Sequence, residues 1–310
     1  MIAFVFPGQG SQYMGMGLEL YNEFAIARKT FEEANDTLGV DISGLCFEDK
    51  SEELRLTINS QPAILTVSVA ALRVLSDETG LKADYVAGHS LGEYTALVAS
   101  ESFEFSDALR AVRKRGEFMQ NAVPVGVGSM SAILGLDDRL IEEICLKVSR
   151  DGSIVSPANF NAPGQVVISG NVEAVETASE LARKNGAKKI IPLEVSAPFH
   201  CALMQPAAER LSRVLKDISV SDLKISIVRN IDARINSDSS KVKGNLVEQV
   251  TSPVRWHESI ECLYEMGVRR FLEIGPGKVL SGLIKRSVQD PIVSNVENLT
   301  QLQSLKEKGY

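Results

Sequence analysis

Tyr85-Val-Ala-Gly-His-Ser-Leu-Gly-Glu-Tyr-Thr-Ala-Leu-Val-Ala99 reads as a short apolar strand, a tight turn and a buried helix. Its centre, Gly88-His-Ser-Leu-Gly92, fits the G-x-S-x-G nucleophile elbow. There two glycines permit a turn sharp enough to present the serine hydroxyl at the top of a parallel sheet. A helix beginning right after the turn also offers unpaired N–H groups and a positive dipole end beside Ser90. The plainer alternative is a strand-to-helix turn with a serine cap, and the pattern alone does not separate the two.

Outward from the elbow, residues 1–123 alternate short apolar runs with amphipathic stretches. Ile2–Phe6 and Tyr85–Gly88 read as strands, and Gly17–Leu38, Pro62–Gly80 and Leu91–Ala99 as helices. Such alternation predicts a parallel sheet covered on both faces. Near Val123-Pro-Val-Gly-Val-Gly-Ser129 the composition turns to Gly and Pro, a crossing point between domains. Beyond it come strand Ser129–Leu134, a helix capped by Asp137, strands Ile154–Ala158 and Gln165–Ser169, a helix Val172–Lys184 capped by Asn171, and strand Lys188–Leu193. That β-α-β-β-α-β order is the split motif of a ferredoxin-like module. Alternation then resumes with a helix over 201–216, a strand over 224–229, a helix over 255–266, a strand over 270–274 and a helix over 277–286. The expected architecture is α/β: a hydrolase-like parallel-sheet core (1–125 and 194–310) with an inserted ferredoxin-like small domain (126–193).

Composition narrows the function. The 310 residues are 44% hydrophobic and 24% charged, enough for a sizeable core in a soluble protein. A net charge of −7, with no block of five or more like charges, argues weakly against nucleic acid as a partner. The longest uncharged stretch, Ile58–Leu72, contains Asn, Ser, Gln and Pro and is too short to cross a bilayer, so no membrane role is expected. The N-terminus reads as a strand and not as a leader, and a cytoplasmic location is expected. Cys46, Cys145, Cys201 and Cys262 form no C-x-x-C pair, and His89, His200 and His257 are far apart. Reduced thiols and no metal site are the reading.

A serine nucleophile needs a base. His89 neighbours the serine, so the two side chains leave the turn in different directions. His257 opens a helix and reads as a surface residue. His200, in Ser196-Ala-Pro-Phe-His200, follows a strand and opens a helix at a sheet edge; a capping or core histidine is the competing view. Phe6-Pro-Gly-Gln-Gly10 is either an anion-binding turn or a plain one. Gly275-Pro-Gly-Lys278 lacks the earlier glycine of a phosphate loop, and Arg113-Lys-Arg115 by composition is a solvated helix face.

Six segments together resemble the malonyl-CoA:acyl-carrier-protein transacylases of bacterial fatty-acid synthesis and, more distantly, the acyltransferase domains of polyketide synthases. They are Pro7-Gly-Gln-Gly-Ser-Gln12, Gly88-His-Ser-Leu-Gly-Glu93, Arg115-Gly-Glu-Phe-Met-Gln120, Asn159-Phe-Asn-Ala-Pro-Gly-Gln165, Pro198-Phe-His200 and Glu248-Gln-Val-Thr-Ser-Pro-Val-Arg-Trp256. Each is loose alone; six in one order and spacing are specific. The resemblance implies Ser90 as nucleophile, His200 as base, and the Gln249 backbone carbonyl as the group orienting that histidine. It also implies the Gln9 and Leu91 amides as oxyanion hole, Arg115 as partner of the malonyl carboxylate, and Phe199 as a mark of malonyl over methylmalonyl selection. It implies malonyl-CoA and acyl carrier protein as partners, no cofactor, and a monomer. The rivals are a stand-alone polyketide acyltransferase, an α/β-hydrolase-type esterase with an acid such as Asp151, and a silent acyl-binding module.

Overall fold

The computed structural model describes residues 1–308 except Ser51, Asp151, Glu194 and Ser196. It is a mixed α/β structure with two sheets. The strands are β1 (Ile2–Phe6), β2 (Tyr85–Gly88), β3 (Gly128–Leu134), β4 (Val155–Ala162), β5 (Gln165–Asn171) and β6 (Lys189–Pro192). The remainder are β7 (Ser226–Val228), β8 (Ile235–Asn236), β9 (Val254–Arg255), β10 (Arg270–Ile274) and β11 (Ile292–Val296).

The first sheet has the order β11-β10-β1-β2-β7-β8. Its first five strands run parallel, with Phe4 opposite both Leu272 and Val86, and β8 closes the far edge antiparallel to β7. All five β1 residues are buried, as expected where helices cover both faces of a parallel sheet. Alternation along the strand divides them. Phe4 and Phe6 join the core containing Ile64 and Leu65 of the helix Thr57–Thr79, whereas Ala3 and Val5 join Trp256, Ile260 and Leu283. The helix Thr57–Thr79 is the one described helix long and apolar enough to cross a membrane, yet 83% of its apolar window is buried here.

The second sheet has the order β6-β3-β5-β4-β9. The pairs β3/β5, β3/β6 and β4/β5 are antiparallel. The helices Asp138–Val148 and Val172–Lys184 supply Ile141, Ile144, Val175 and Ala178 to a core with Ile133, Val166 and Ile168. β9 comes from the far C-terminal part of the chain and pairs in parallel with β4, Asn159 opposite Val254.

Several local readings are corrected. The helix expected from Pro62 begins at Thr57 and keeps Pro62 inside it. Proline has no N–H for the Ile58 carbonyl, and Arg113 Nη1 supplies the missing donor at 3.0 Å. The single helix expected over Gly17–Leu38 is two, Leu18–Glu23 and Ala25–Leu38, broken at an extended Phe24. Asp137 caps its helix by accepting from the Arg139 and Leu140 amides. Asn171 occupies the cap position without capping, because its Oδ1 accepts from Ile154 N–H. The strands β8, β9 and β11 and the helices Ile42–Phe47, Val242–Gln249 and Leu299–Lys308 were not anticipated.

Candidate active site

The turns after β1 and β2 meet at the carboxyl edge of the first sheet, where open parallel sheets place their crevices: a Cβ on Gly8 would sit 2.4 Å from the His89 carbonyl oxygen. The elbow after β2 requires both glycines for close approach. A Cβ on Gly88 would sit 1.9 Å from the Gly92 carbonyl carbon, and one on Gly92 would sit 2.1 Å from the Phe6 oxygen. Between them Ser90 takes a φ of 51°, sparsely populated for a residue with a Cβ. Asn230, just after β7 and fully buried, holds that turn. Its Oδ1 accepts from the Ser90 amide at 2.7 Å and its Nδ2 donates to the Gly88 carbonyl at 2.7 Å.

Ser90 Oγ lies 2.8 Å from His200 Nε2. On the other side of the ring, Nδ1 meets the Gln249 backbone carbonyl at 2.8 Å. A carbonyl only accepts, so Nδ1 carries the hydrogen and Nε2 presents its lone pair to the serine. No described Asp or Glu hydrogen-bonds this histidine; Asp151, the acid considered for a hydrolase triad, lies outside the described residues. His200 is itself left-handed, with φ 59°. Burial, and then the Arg115 charge, push its pKa down to about 3.

Arg115 corrects the surface reading of its tripeptide. Lys114 is exposed and pairs with Glu117 at 2.9 Å, whereas Arg115 is only 2% exposed. Its helix, Phe105–Gln120, buries Ala108, Ala111, Val112, Arg115 and Met119, so the arginine lies on the apolar stripe. Nη1 donates to Gln61 Oε1 at 2.8 Å, and Nη2 donates to Ser90 Oγ at 3.0 Å and to Gln249 Oε1 at 2.9 Å. Its Nε–H has no partner among the described residues.

These groups line a cavity of about 380 Å³ with Gln9, Gln61, Leu91, Met119, Met130, Asn159, Phe199 and His200. Three larger surface hollows lack any such convergence of groups. Among the described residues neither the Gln9 nor the Leu91 amide has an intramolecular acceptor, and both belong to turns beside Ser90. Phe199 is buried against the same space.

The other candidates fall elsewhere. His89 turns away from the cavity's reacting groups and meets Asn161 Oδ1 of β4 at 2.8 Å, tying the elbow to the second sheet. His257 is no surface residue. It is largely buried, with Nε2 3.7 Å from Asp138 and its ring edge-on to Phe160. In the Gly275-Pro-Gly-Lys278 turn, the Gly277 amide donates to Glu297 at 2.6 Å, so a protein carboxylate holds the place an anion would take. Asn230, Gln61 and the Gln249 side chain were not singled out from sequence. Glu93 appeared only as the last letter of a motif.

The match to known proteins covers nearly the whole chain. Residues 3–308 fit the family model described as acyl transferase domain. A malonyl CoA-acyl carrier protein transacylase of Bacillus subtilis is 51% identical over 312 residues, covering 99% of this chain and 98% of that protein. A crystal structure of an acyl carrier protein S-malonyltransferase from Vibrio cholerae superposes with a TM-score of 0.95 at 44% identity, covering 98% of this chain and 99% of that one. A malonyl-transacylase solved in complex with a type II PKS acyl-carrier protein superposes at 0.96 with 45% identity, covering 99% of both chains. The chain belongs to the acyl transferase domain family and, within it, to the malonyl CoA-acyl carrier protein transacylases.

Proposed function

We propose that this chain transfers the malonyl group of malonyl-CoA to the phosphopantetheine thiol of acyl carrier protein, by a ping-pong route through a malonyl ester on Ser90. The observation that carries this reading is Arg115: a buried guanidinium 3.0 Å from the nucleophilic oxygen. Desolvating a permanent charge costs several kcal/mol, which a site for neutral acyl groups has no reason to bear. A malonyl carboxylate offsets that cost by charge-assisted hydrogen bonds to the planar fork.

In the first half-reaction Ser90 Oγ attacks the thioester carbonyl while His200 Nε2 takes its proton. The developing oxyanion is received by the Gln9 and Leu91 amides. The C–S bond breaks, the coenzyme A thiolate takes the proton from His200, and the malonyl ester remains. The carrier's thiol then repeats these steps in reverse order and regenerates Ser90. The Gln249 carbonyl keeps the imidazole in its acting tautomer, and Phe199 narrows the space beside the malonyl methylene. Every step uses groups already named, so the reading calls for no metal or redox cofactor. The relative solved with bound carrier supports acyl carrier protein as the acceptor. A stand-alone polyketide acyltransferase, the reading that relative also favours, differs only in which carrier is served.

The order β6-β3-β5-β4 with two helices supports a ferredoxin-like module over 126–193, inserted in a hydrolase-like body formed by 1–125 and 194–310. We read the protein as a cytoplasmic monomer with reduced thiols.

The test is intact mass after mixing with malonyl-CoA alone. One malonyl adduct is expected on the wild type and none on Ser90→Ala, and holo carrier protein should then discharge it. Steady consumption of malonyl-CoA with no adduct and no second thiol would favour a hydrolase and end this reading.

A further inference from the structure

The motif around the nucleophile ends in a buried carboxylate that none of those steps uses. Glu93, in the first turn of the helix Gly92–Ala99, is 3% exposed and makes no salt bridge with any described residue. Its Oε2 accepts from Gln249 Nε2 at 2.7 Å and from the Asn230 amide at 3.3 Å. Burial raises the Glu93 pKa to about 7, and above that pH the ionised carboxylate offers only lone pairs, so the end of the Gln249 amide that faces it is the nitrogen. That nitrogen also donates to the Ser90 carbonyl at 2.9 Å. The amide oxygen is thereby turned the other way, where it accepts from Arg115 Nη2 at 2.9 Å. The same Nη2 donates to Ser90 Oγ at 3.0 Å. A continuous run of directed hydrogen bonds thus joins Glu93 to the arginine and the nucleophile.

We infer that Glu93 is a positioning residue for acyl-group selection: through the Gln249 side-chain amide it fixes the Arg115 guanidinium that receives the malonyl carboxylate. This rests on the carboxylate-binding reading of Arg115 given above. Glu93 is the nearest acceptor of that nitrogen, ahead of the Ser90 carbonyl at 2.9 Å and Asn230 Oδ1 at 3.3 Å; an uncharged amide at 93 weakens the hold on this orientation, and an NH2 turned toward the guanidinium sets donor against donor. Arg115 would then keep Gln61 Oε1 at 2.8 Å and the Tyr94 ring, 5.7 Å from its central carbon. Neither fixes Nη2. Ionised above about pH 7, Glu93 also places a counter-charge one amide away from the buried Arg115, which makes no salt bridge among the described residues. Asn230 acts differently. It grips the elbow itself, so its loss should affect every acyl donor alike.

The experiment compares kcat/KM for malonyl-CoA and acetyl-CoA, with holo carrier protein as acceptor, in wild type, Glu93→Gln and Glu93→Asp. In Glu93→Gln the malonyl value should fall about tenfold or more, the scale of one hydrogen bond to a charged group, and the acetyl value by less than about threefold. Most of the malonyl loss should lie in KM. Glu93→Asp keeps an acceptor-only group on a shorter arm and should fall between. A malonyl-to-acetyl ratio unchanged in Glu93→Gln, or equal losses for both donors, overturns the inference. If Glu93→Gln does not fold, the Glu93→Asp ratio decides: an intermediate shift supports the inference and an unchanged ratio ends it. A wild type that never loads malonyl onto Ser90 would instead overturn the function on which it rests.

Discussion

Two turns of this molecule share one plan and meet opposite fates. Each follows a parallel strand of the first sheet and leads into a helix: His89–Leu91 after β2, and Gly275–Lys278 after β10. At the second turn the anion-seeking amides are satisfied from within. Glu273 accepts from the Leu280 and Ser281 amides at 3.0 and 2.7 Å, and Glu297 accepts from Gly277. At the first, the Leu91 amide has no acceptor and faces a cavity. Strand-to-helix geometry therefore supplies the electropositive corner in both places. What distinguishes a site from a structural turn is whether the protein fills that corner with its own carboxylate.

The comparison is tested most severely at Arg115, the charge that the open corner shares. Arg115→Ala should strand a malonyl carboxylate in a dry pocket, a loss of about 3–5 kcal/mol or hundreds-fold or more in kcat/KM. Acetyl transfer, with no carboxylate to strand, should change little. Arg115→Lys should rescue malonyl transfer only in part, because a point charge cannot reproduce the fork. Equal activity of the Ala variant on both donors would place the specificity elsewhere.

At the closed corner the expected loss is stability. Glu273→Gln weakens a buried, charge-assisted helix cap and should lower unfolding free energy by about 1–3 kcal/mol in a denaturant titration. Transfer per folded molecule should stay the same. If that variant loses catalysis at full stability, the two turns are not divided as described.

Acid sharpens the contrast further. Under the proposed mechanism only neutral His200 can take the serine proton, and burial brings its pKa down to about 3, below the ordinary histidine value of about 6.5. The acid limb of transfer should therefore lie well below pH 6.5. The stability linked to this buried neutral imidazole has the same sign. It is fully present above the unfolded value and is lost as pH falls toward the folded one, because the unfolded chain binds the proton first. An acid limb centred at pH 6.5 in kcat/KM would show His200 more hydrated than its surroundings indicate.

The smallest effect concerns the carrier. Lys188, Lys189 and Lys184 on the second-sheet unit, with Lys278, Lys285 and Arg286 near the closed turn, are exposed cations on a chain of net charge −7. Added salt should raise KM for an acidic carrier protein several-fold while leaving loading from malonyl-CoA less affected. A carrier step indifferent to salt would remove these residues from the docking surface.

Much of this was legible in the chain because it depends on short-range rules. The elbow needs glycine where other backbone lies 1.9 Å (Gly88) and 2.1 Å (Gly92) from a would-be Cβ, so both are visible as letters. Three histidines leave few bases to choose from, and alternation of strand and helix signals the parallel sheet. Arg115 was legible too, had its helical phase been weighed against its charged neighbours: it falls three and four residues from Val112 and Ala111 and four before Met119. The short strands β8 and β9 were not legible, since two residues carry no periodicity and each exists only because a partner strand lies beside it.

Tertiary structure alone decided the rest. Asn230 grips Ser90 from 140 positions away, and Gln249 reaches the same serine from 159. Neither carries a local pattern, because a buried amide acquires its meaning from whichever donors and acceptors the fold sets around it. Sequence by itself determined which residues are able to do this chemistry. Only packing determined that Arg115 is dry, that His200 stays neutral, and that one helix corner remains open while its counterpart is closed. Each of those properties is a matter of which charges and dipoles replace water, and that is settled by neighbours distant in the chain.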